Sequence, residues 1–236
     1  MSTETASRSG HSLSSTPRTT LRRHKERGKT DRADLYAVLD AGLVCHLGVV
    51  ADGAPVVLPT AYGRDGDTLY VHGSSANGIL AAAAGQRVCV TVTHIDGLVC
   101  ARSVFHHSVN YRSAVVFGDA TLVTDEDDRT HGLEVVTDHL IPGRWAAARR
   151  PTKKEMAATA VLSVPLDEAS VKVRAEGVSD DAEDHELDVW AGVLPTAVTF
   201  GEPEPDPVLR GGIPVPPHIR ERVSGGESSR DYPFGK

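Results

Sequence analysis

The sequence lacks any apolar run of about 18 residues, the length that a membrane-crossing helix requires, and it has no apolar segment of the signal-peptide kind. It is also poor in cysteine, because Cys45, Cys89 and Cys100 are an odd number and none has CxxC spacing. We interpret them as reduced thiols inside apolar segments, which is typical of a cytoplasmic protein. We therefore expect a cytoplasmic chain without a membrane partner.

An excess of positive charge is absent as well. The 236 residues include 25 Lys and Arg against 32 Asp and Glu, a formal net charge of −7. Non-specific nucleic-acid binding depends on Lys and Arg that neutralise phosphates, so we expect no nucleic-acid partner. The basic stretch 18–29 is interpreted as a solvated segment before the first helix rather than as a nucleic-acid-binding arm.

The common catalytic and nucleotide-binding motifs are missing. There is no GxGxxG after a strand, and no GxxxxGK[ST], HExxH or GxSxG. The 11 histidines form no close set of metal ligands, and the adjacent His106 and His107 would point to opposite faces of a strand. The sequence therefore predicts no metal site.

Turns and short strands dominate what is present. Aromatic residues make up 5% of the chain, whereas 22 glycines and 14 prolines indicate many turns. Short β-branched runs between turn signals predict six or more antiparallel strands in a closed barrel or sandwich. One such signal, Ile95-Asp96-Gly97, is predicted to separate two strands at 87–94 and 98–105.

Three regions are predicted along the chain. Residues 1–16 are small and polar and are predicted to be disordered. Residues 17–200 are predicted to form one domain, and the Pro/Gly-rich tail 201–236 to be mostly unstructured. The predicted helices cover 31–41, 77–84, 125–140, with Thr124 as the cap of this third helix, and 151–160.

The first stretch that suggests binding is "YVHGSSANG", residues 70–78, where a strand runs through Gly73, Ser74 and Ser75 into a helix. Free backbone N–H groups and the helix dipole favour an anion at such a junction. The alternative is that the loop only caps the following helix.

The second stretch is "HHSVNYRSAVVFG", residues 106–118. It gathers Ser108, Asn110, Tyr111, Arg112 and Ser113 at the start of an apolar strand. The planar guanidinium of Arg112 suits phosphate oxygens, and the alternative is a salt bridge at the strand end. The two stretches together favour a phosphorylated cofactor.

Four segments of the chain resemble the FMN-binding split-barrel superfamily of pyridoxamine 5′-phosphate oxidase-like proteins. Within it they resemble the flavin-nucleotide-binding branch that includes the 5-nitroimidazole-resistance flavoproteins. The resemblance covers roughly residues 18–177, and the order of "NYRS…VFG" and "PGRW" is its specific feature. The segments are "RADLYAVLDAGLVCHLGVV", "PVVLPTAYGRDGDTLYVHGS", "SVNYRSAVVFGDATLV" and "LIPGRWAAARRPTKKEMAATAVLSVPLDEASVKVR".

This resemblance implies a mainly β fold, a six-stranded antiparallel split barrel with flanking helices. It also implies a homodimer with two FMN sites at the interface. Strand residues would run along the flavin ring, and two loops would hold the ribityl and phosphate groups. The implied cofactor-binding residues are Leu58, Pro59, Thr60, Ala61, His72, Gly73, Ser74, Ser75, Asn77, Ser108, Asn110, Tyr111, Arg112 and Ser113.

Two positions stand out within that set. Many relatives carry Arg or Lys near Asn77, so phosphate binding here is expected to depend more on Arg112. If Leu69 and Val71 face the core, strand alternation places His72 on the opposite face. The resemblance puts this histidine beside the flavin as a candidate catalytic proton donor or substrate-orienting group, and the alternative is that it hydrogen-bonds the loop backbone.

The leading functional hypothesis is an FMN-dependent oxidoreductase that acts on an unidentified small molecule. The flavin would supply the chemistry and the protein the binding and orientation. Two alternatives remain open: a non-catalytic flavin-binding protein, and a split-barrel protein that uses the deazaflavin F420 or haem. Oxidation of pyridoxamine phosphate itself is less favoured, because no convincing second phosphate-binding cluster is found.

Overall fold

The computed structural model describes residues 12–224, and within them the chain is mainly antiparallel β-sheet with flanking helices. The strands are β1 Gly28–Lys29, β2 Val44–Ala51, β3 Ala54–Asp65, β4 Thr68–Ser74, β5 Arg87–Cys100, β6 Ser108–Asp119, β7 Thr121–Leu122, β8 Thr159–Pro165, β9 Glu168–Arg174 and β10 Gly192–Pro195. The α-helices are α1 Arg32–Ala41, α2 Gly78–Ala83, α3 Glu126–Leu140, α4 Arg144–Ala147, α5 Lys153–Ala157 and α6 Pro217–Ser224. Short 3-10 turns cover Lys25–Arg27, Val104–His106 and Ala182–Glu186.

The strands join in the order β1-β9-β6-β5-β2-β3-β4-β8-β7, with β10 added to β5. The long strand β3 belongs to both halves of this sheet. Its residues up to Ala61 pair with β2, and from Tyr62 onward they pair with β4. The predicted fold class is confirmed. The described sheet has ten strands rather than six, partly because the short strands β1, β7 and β10 add to it.

The two half-sheets enclose the core and meet again where β6 approaches β8. A methyl group on Gly118 of β6 would lie 2.7 Å from Cγ1 of Val164, and within the described residues no ladder joins these two strands. The barrel is therefore split here and closed by packing. Its fully buried large side chains include Leu35, Leu39, Leu47, Tyr62, Leu69, Leu162 and Leu166.

The strand β5 corrects the prediction of two strands at 87–94 and 98–105. It continues from Arg87 to Cys100 and pairs with β6 along its length, with a register shift between Ile95 and Gly97. A bulge and a hairpin turn use the same residue types, so "IDG" alone does not distinguish them. Because β5 pairs with β6 on both sides of these residues, they form a bulge and not a turn. The chain leaves the sheet only after Cys100.

The N-terminal prediction of disorder is wrong for residues 12–16, whereas residues 1–11 lie outside the described part. Ser12 forms a bridge with Asp31, Leu13 packs against the core, and the Thr16 hydroxyl donates to Glu168 at 2.5 Å. Small polar residues are ordered here because distant parts of the chain supply their partners, which composition does not reveal.

The Pro/Gly-rich tail contains one helix, α6, while residues 225–236 lie outside the described part. The Arg222 guanidinium of α6 lies 4.6 Å from the centre of the Phe200 ring. At Gly143, an added Cβ would be 3.5 Å from Cβ of His218. The tail thus folds back on its own chain. No helix among residues 12–224 is both long and apolar enough to cross a membrane.

Candidate functional site

The residues predicted to bind a cofactor form two separate groups in the structure. In the first, Leu58–Ala61 are the last β3 residues before β3 turns from β2 to β4. His72 directly follows Val71, the last β4 residue that pairs with β3. β3 before Tyr62 and β4 after Val71 are therefore no longer paired with each other. The opening between them lies beside the loop that follows Ser74.

The second group, Ser108–Ser113, lies at the start of β6. The opposite end of β6 is the one that approaches α2, since the Gly85 N–H donates to the Ala120 carbonyl at 2.7 Å. From Arg112 to Asp119 the strand extends by about 23 Å, at roughly 3.3 Å per residue. The second group is thus far from the α2 end of β6. It is closer to the β3 residues of the first group, because the pairs Pro59–His46, His46–Thr91 and Thr91–Val115 place Pro59 about 14 Å, three strand spacings, from Val115.

The loop before α2 already uses its backbone donors internally. The Ser75 N–H donates to Ala158 O at 2.9 Å and the Asn77 N–H to Ser74 O at 2.9 Å. The Ala76 N–H donates to the Ser74 hydroxyl at 3.2 Å. The side-chain oxygen of Asn77 accepts from the first turn of α2 at 2.9 and 3.4 Å. The capping contact is present, and the expectation of free N–H groups is wrong for these five donors; a cofactor-binding role of the loop's side chains stays a prediction.

A cavity of about 400 Å³ lies beside this loop. It is within the usual size range of small-molecule sites, roughly 300–1,000 Å³. Apolar side chains of α2 form one wall, and the rest combines apolar side chains with hydroxyl, amide and guanidinium groups from three other segments. The lining residues are Ser75, Asn77, Leu80, Ala81, Ala84, Leu122, Val123, Thr124, Arg129, Thr159 and Ala160.

Arg129 is the basic residue of this cavity, and the sequence prediction missed it. It lies in the first turns of α3, where the Asp125 side chain caps the helix by accepting from the N–H groups of Asp127 and Asp128. The cap is thus one residue later than the predicted Thr124. The Arg129 Nη2 donates to the Thr159 carbonyl at 2.8 Å and to that of Met156. The sequence feature that could have drawn attention to Arg129 is its position as a single arginine after the acidic residues of "DEDDRT".

His72 faces away from the main core, as the alternation predicted, because Leu69 and Val71 are fully buried. The imidazole is half-buried, and its Nδ1 is completely enclosed without a hydrogen-bond partner in the described structure. The loop-ordering hydrogen bond proposed as the alternative is therefore not made by Nδ1. Burial lowers the pKa of His72 from its usual value, so the ring is neutral at pH 7.

The polar group at the start of β6 makes internal contacts. Arg112 donates from Nε and Nη2 to the two carboxylate oxygens of Asp96 at 2.9 and 2.8 Å, so the strand-end salt bridge considered as the alternative is present. Asn110 is fully buried and donates to Glu176 O at 2.9 Å. The Ser113 hydroxyl donates to Lys172 O at 3.4 Å. These contacts hold β6 to the bulge of β5 and to the segment around β9.

One of the paired histidines has acidic neighbours. His106 Nε2 lies 3.2 Å from a carboxylate oxygen of Asp181, and with Asp184 the three donor atoms lie within 4.8 Å of one another. The two carboxylates come from a turn about 75 positions later in the chain, so the sequence prediction did not include them. The expectation that the protein holds no metal stays a prediction.

Comparison with known proteins agrees with this architecture. A sequence profile described as pyridoxamine 5′-phosphate oxidase matches residues 31–173. The flavocytochrome Anf3 from Azotobacter vinelandii is 40% identical with a TM-score of 0.83, over 88% of this chain and 97% of the other. The FAD and haem binding protein from Mycobacterium smegmatis is 38% identical with a TM-score of 0.80, over 84% and 97%. The chain belongs to the pyridoxamine 5′-phosphate oxidase family.

A third similarity concerns the fold alone. A protein from Bacteroides thetaiotaomicron, described as a 5-nitroimidazole antibiotic resistance protein, is 22% identical with a TM-score of 0.54, over 62% of this chain and 86% of the other. No curated protein matches the sequence. The resemblance seen in the sequence is confirmed. Of the two relatives with higher identity, one is named a flavocytochrome and the other an FAD and haem binding protein.

Proposed function

We propose that this protein is a cytoplasmic flavin-binding redox protein that holds a flavin nucleotide and a haem. The observation that carries the proposal is the opening between β3 and β4, with the 400 Å³ cavity next to its polar loop. Two relatives at 40% and 38% identity, one named a flavocytochrome and the other an FAD and haem binding protein, support it. The flavin is FMN, as the sequence predicted, or FAD, as the name of the second relative suggests.

The β3 residues of the first group would position the flavin. The backbone of Leu58–Ala61 lies at the edge where β3 leaves β2, and it presents peptide groups toward the opening. The hydroxyl and amide groups of Ser75, Asn77 and Thr159 line the adjoining cavity. A bound flavin supplies electron and hydride transfer, and the chain supplies binding, orientation and exclusion of water.

We assign the role of haem ligand to His72, which lies at the opening between β3 and β4. A neutral imidazole is a common ligand of haem iron, and the His72 ring is neutral, half-buried and has an enclosed Nδ1 without a partner. A ring whose pKa is lowered by burial is a poor proton donor at pH 7. The ligand role is therefore favoured over the proton-donor role implied by the resemblance.

Absorption spectroscopy of the purified full-length protein tests the proposal. We expect flavin bands together with a Soret band, and chromatography of the released cofactor would distinguish FMN from FAD. His72→Ala should remove the Soret band and leave the flavin bands, whereas His185→Ala, an exposed histidine in a 3-10 turn, should leave both. A protein that binds no flavin after incubation with FMN and FAD would contradict the function, and a Soret band that survives His72→Ala would contradict the ligand assignment.

We also propose that two copies of the chain form a dimer through the outer face of β2 and β3. Val44, Val50 and Val57 lie on this face, with 47%, 53% and 62% of their surface exposed. Val57 pairs with Gly48, between Val44 and Val50 on β2, so the three exposed valines extend along one face, and exposed apolar surface of this kind favours an interaction surface. In such a dimer the second group of polar residues could also come from the other copy of the chain. Light scattering should give twice the 25.1 kDa chain mass, and Val57→Asp should shift it toward the monomer. A wild-type mass of one chain would contradict the dimer.

A further inference from the structure

The charge of Arg129 is not matched by a carboxylate. Its Nη2 is held by the carbonyls of Thr159 and Met156, and no ion pair joins Arg129 to a carboxylate of the described chain. The side chain is half-buried. Removing a guanidinium from water without a counter-charge is costly, so the cavity wall it occupies favours an anionic ligand.

The surroundings of Arg129 point to an anion that also accepts hydrogen bonds from neutral donors. Ser75, Asn77 and Thr124 line the same cavity and offer such donors, whereas the Thr159 hydroxyl, which also lines it, already donates to Glu155 O at 2.9 Å. The backbone N–H groups of residues 75–77 are already bonded, and the six-residue helix α2 offers little dipole. The positive charge must therefore come from a side chain, and Arg129 is the basic side chain among the cavity-lining residues.

We propose that Arg129 binds a phosphate group of the flavin nucleotide and replaces the cation that relatives carry near Asn77. The inference rests on the proposed function and assigns the phosphate to this cavity of a single chain. Arg112, the cation expected from the sequence, is occupied by a bidentate ion pair with Asp96. Arg129 uses Nη2 for two carbonyls and lines the cavity, which leaves the N–H groups of Nε and Nη1 as donors, and guanidinium–phosphate contacts are charge-assisted and directional.

The test compares ligands that differ only in the phosphate. Riboflavin and FMN would be titrated into the full-length protein, freed of bound flavin, by quenching of flavin fluorescence. The wild type should bind FMN more tightly than riboflavin. Arg129→Gln should weaken FMN binding about 10- to 150-fold and leave riboflavin binding unchanged. Arg144→Gln, which removes an exposed arginine outside the cavity, should change neither affinity.

The outcomes separate the inference from the proposed function. If the wild type binds none of riboflavin, FMN and FAD, the proposed function is wrong and the inference fails with it. If the wild type binds both flavins but Arg129→Gln keeps the same FMN-to-riboflavin ratio, only the inference is overturned. Should Arg129→Gln fail to fold, as judged by circular dichroism, Arg129→Met decides. It keeps a long side chain without the positive charge, so a reduced ratio supports the inference and an unchanged ratio overturns it.

Discussion

The close approach of α3 to β3 at Gly63 makes a specific prediction about stability and cofactor binding. A Cβ atom at this position would lie 2.6 and 2.7 Å from the carbonyl oxygen and carbon of Val135, and 2.9 Å from Cα of Val136. All three are backbone atoms of α3, so no side chain can rotate away. Gly63→Ala therefore requires α3 to move away from the sheet.

The magnitude follows from the contact distances. Non-bonded carbon atoms pack at about 3.5–4.0 Å, so α3 must shift by on the order of 1 Å to accept the new methyl group. Overpacking of this kind costs about 1–3 kcal/mol. Since α3 also carries Arg129, the shift should weaken binding of the flavin nucleotide as well as lower the free energy of unfolding.

Urea denaturation followed by circular dichroism measures the first effect. The matched control is Gly177→Ala, because nothing lies within 4 Å of a Cβ atom there. We expect a lower midpoint for Gly63→Ala and an unchanged midpoint for the control. Equal midpoints for Gly63→Ala and wild type would show that the helix–sheet spacing is adjustable, and would refute the reasoning.

Two further predictions concern charge. Burial lowers the pKa of three histidines, His72, His94 and His139. Below about pH 6.5 the unfolded chain therefore binds protons more readily than the folded chain. The free energy of unfolding should decrease as the pH is lowered from 7 to 5. Equal urea midpoints at the two pH values would contradict this. Arg112→Ala leaves Asp96 largely buried without its partner and should lower the free energy of unfolding by about 1–3 kcal/mol, with recovery when Asp96→Asn is added. Unchanged stability with weaker FMN binding would instead support the phosphate role that the sequence predicted for Arg112.

The local parts of the fold could be read from the sequence. The pattern around Leu69 and Val71 identified both a strand and its buried face, because side chains alternate with a period of two residues. The helix predicted at 77–84 is present as α2, and its cap is local as well, because the Asn77 side-chain oxygen accepts from the first turn of its own helix. In such cases the interacting groups lie within a few residues of one another, so their order in the chain is enough.

The candidate site was predicted only in part, since its ligand-binding groups depend on distant partners. Arg112 has the same chemistry whether it meets a phosphate or Asp96. The bulge in β5 that brings Asp96 to it looks like a hairpin turn in the sequence. Arg129 lies about 50 positions after the loop whose cavity it lines, and no local pattern connects the two.

The sequence by itself therefore determined the family, the mainly β architecture and the loop beside which the cavity lies. Only the tertiary structure decided which polar groups are already paired and which face that cavity. The reason is physical: propensity and periodicity act over a few residues, whereas hydrogen-bond and charge pairing is settled by whichever groups the folded chain brings within about 3 Å.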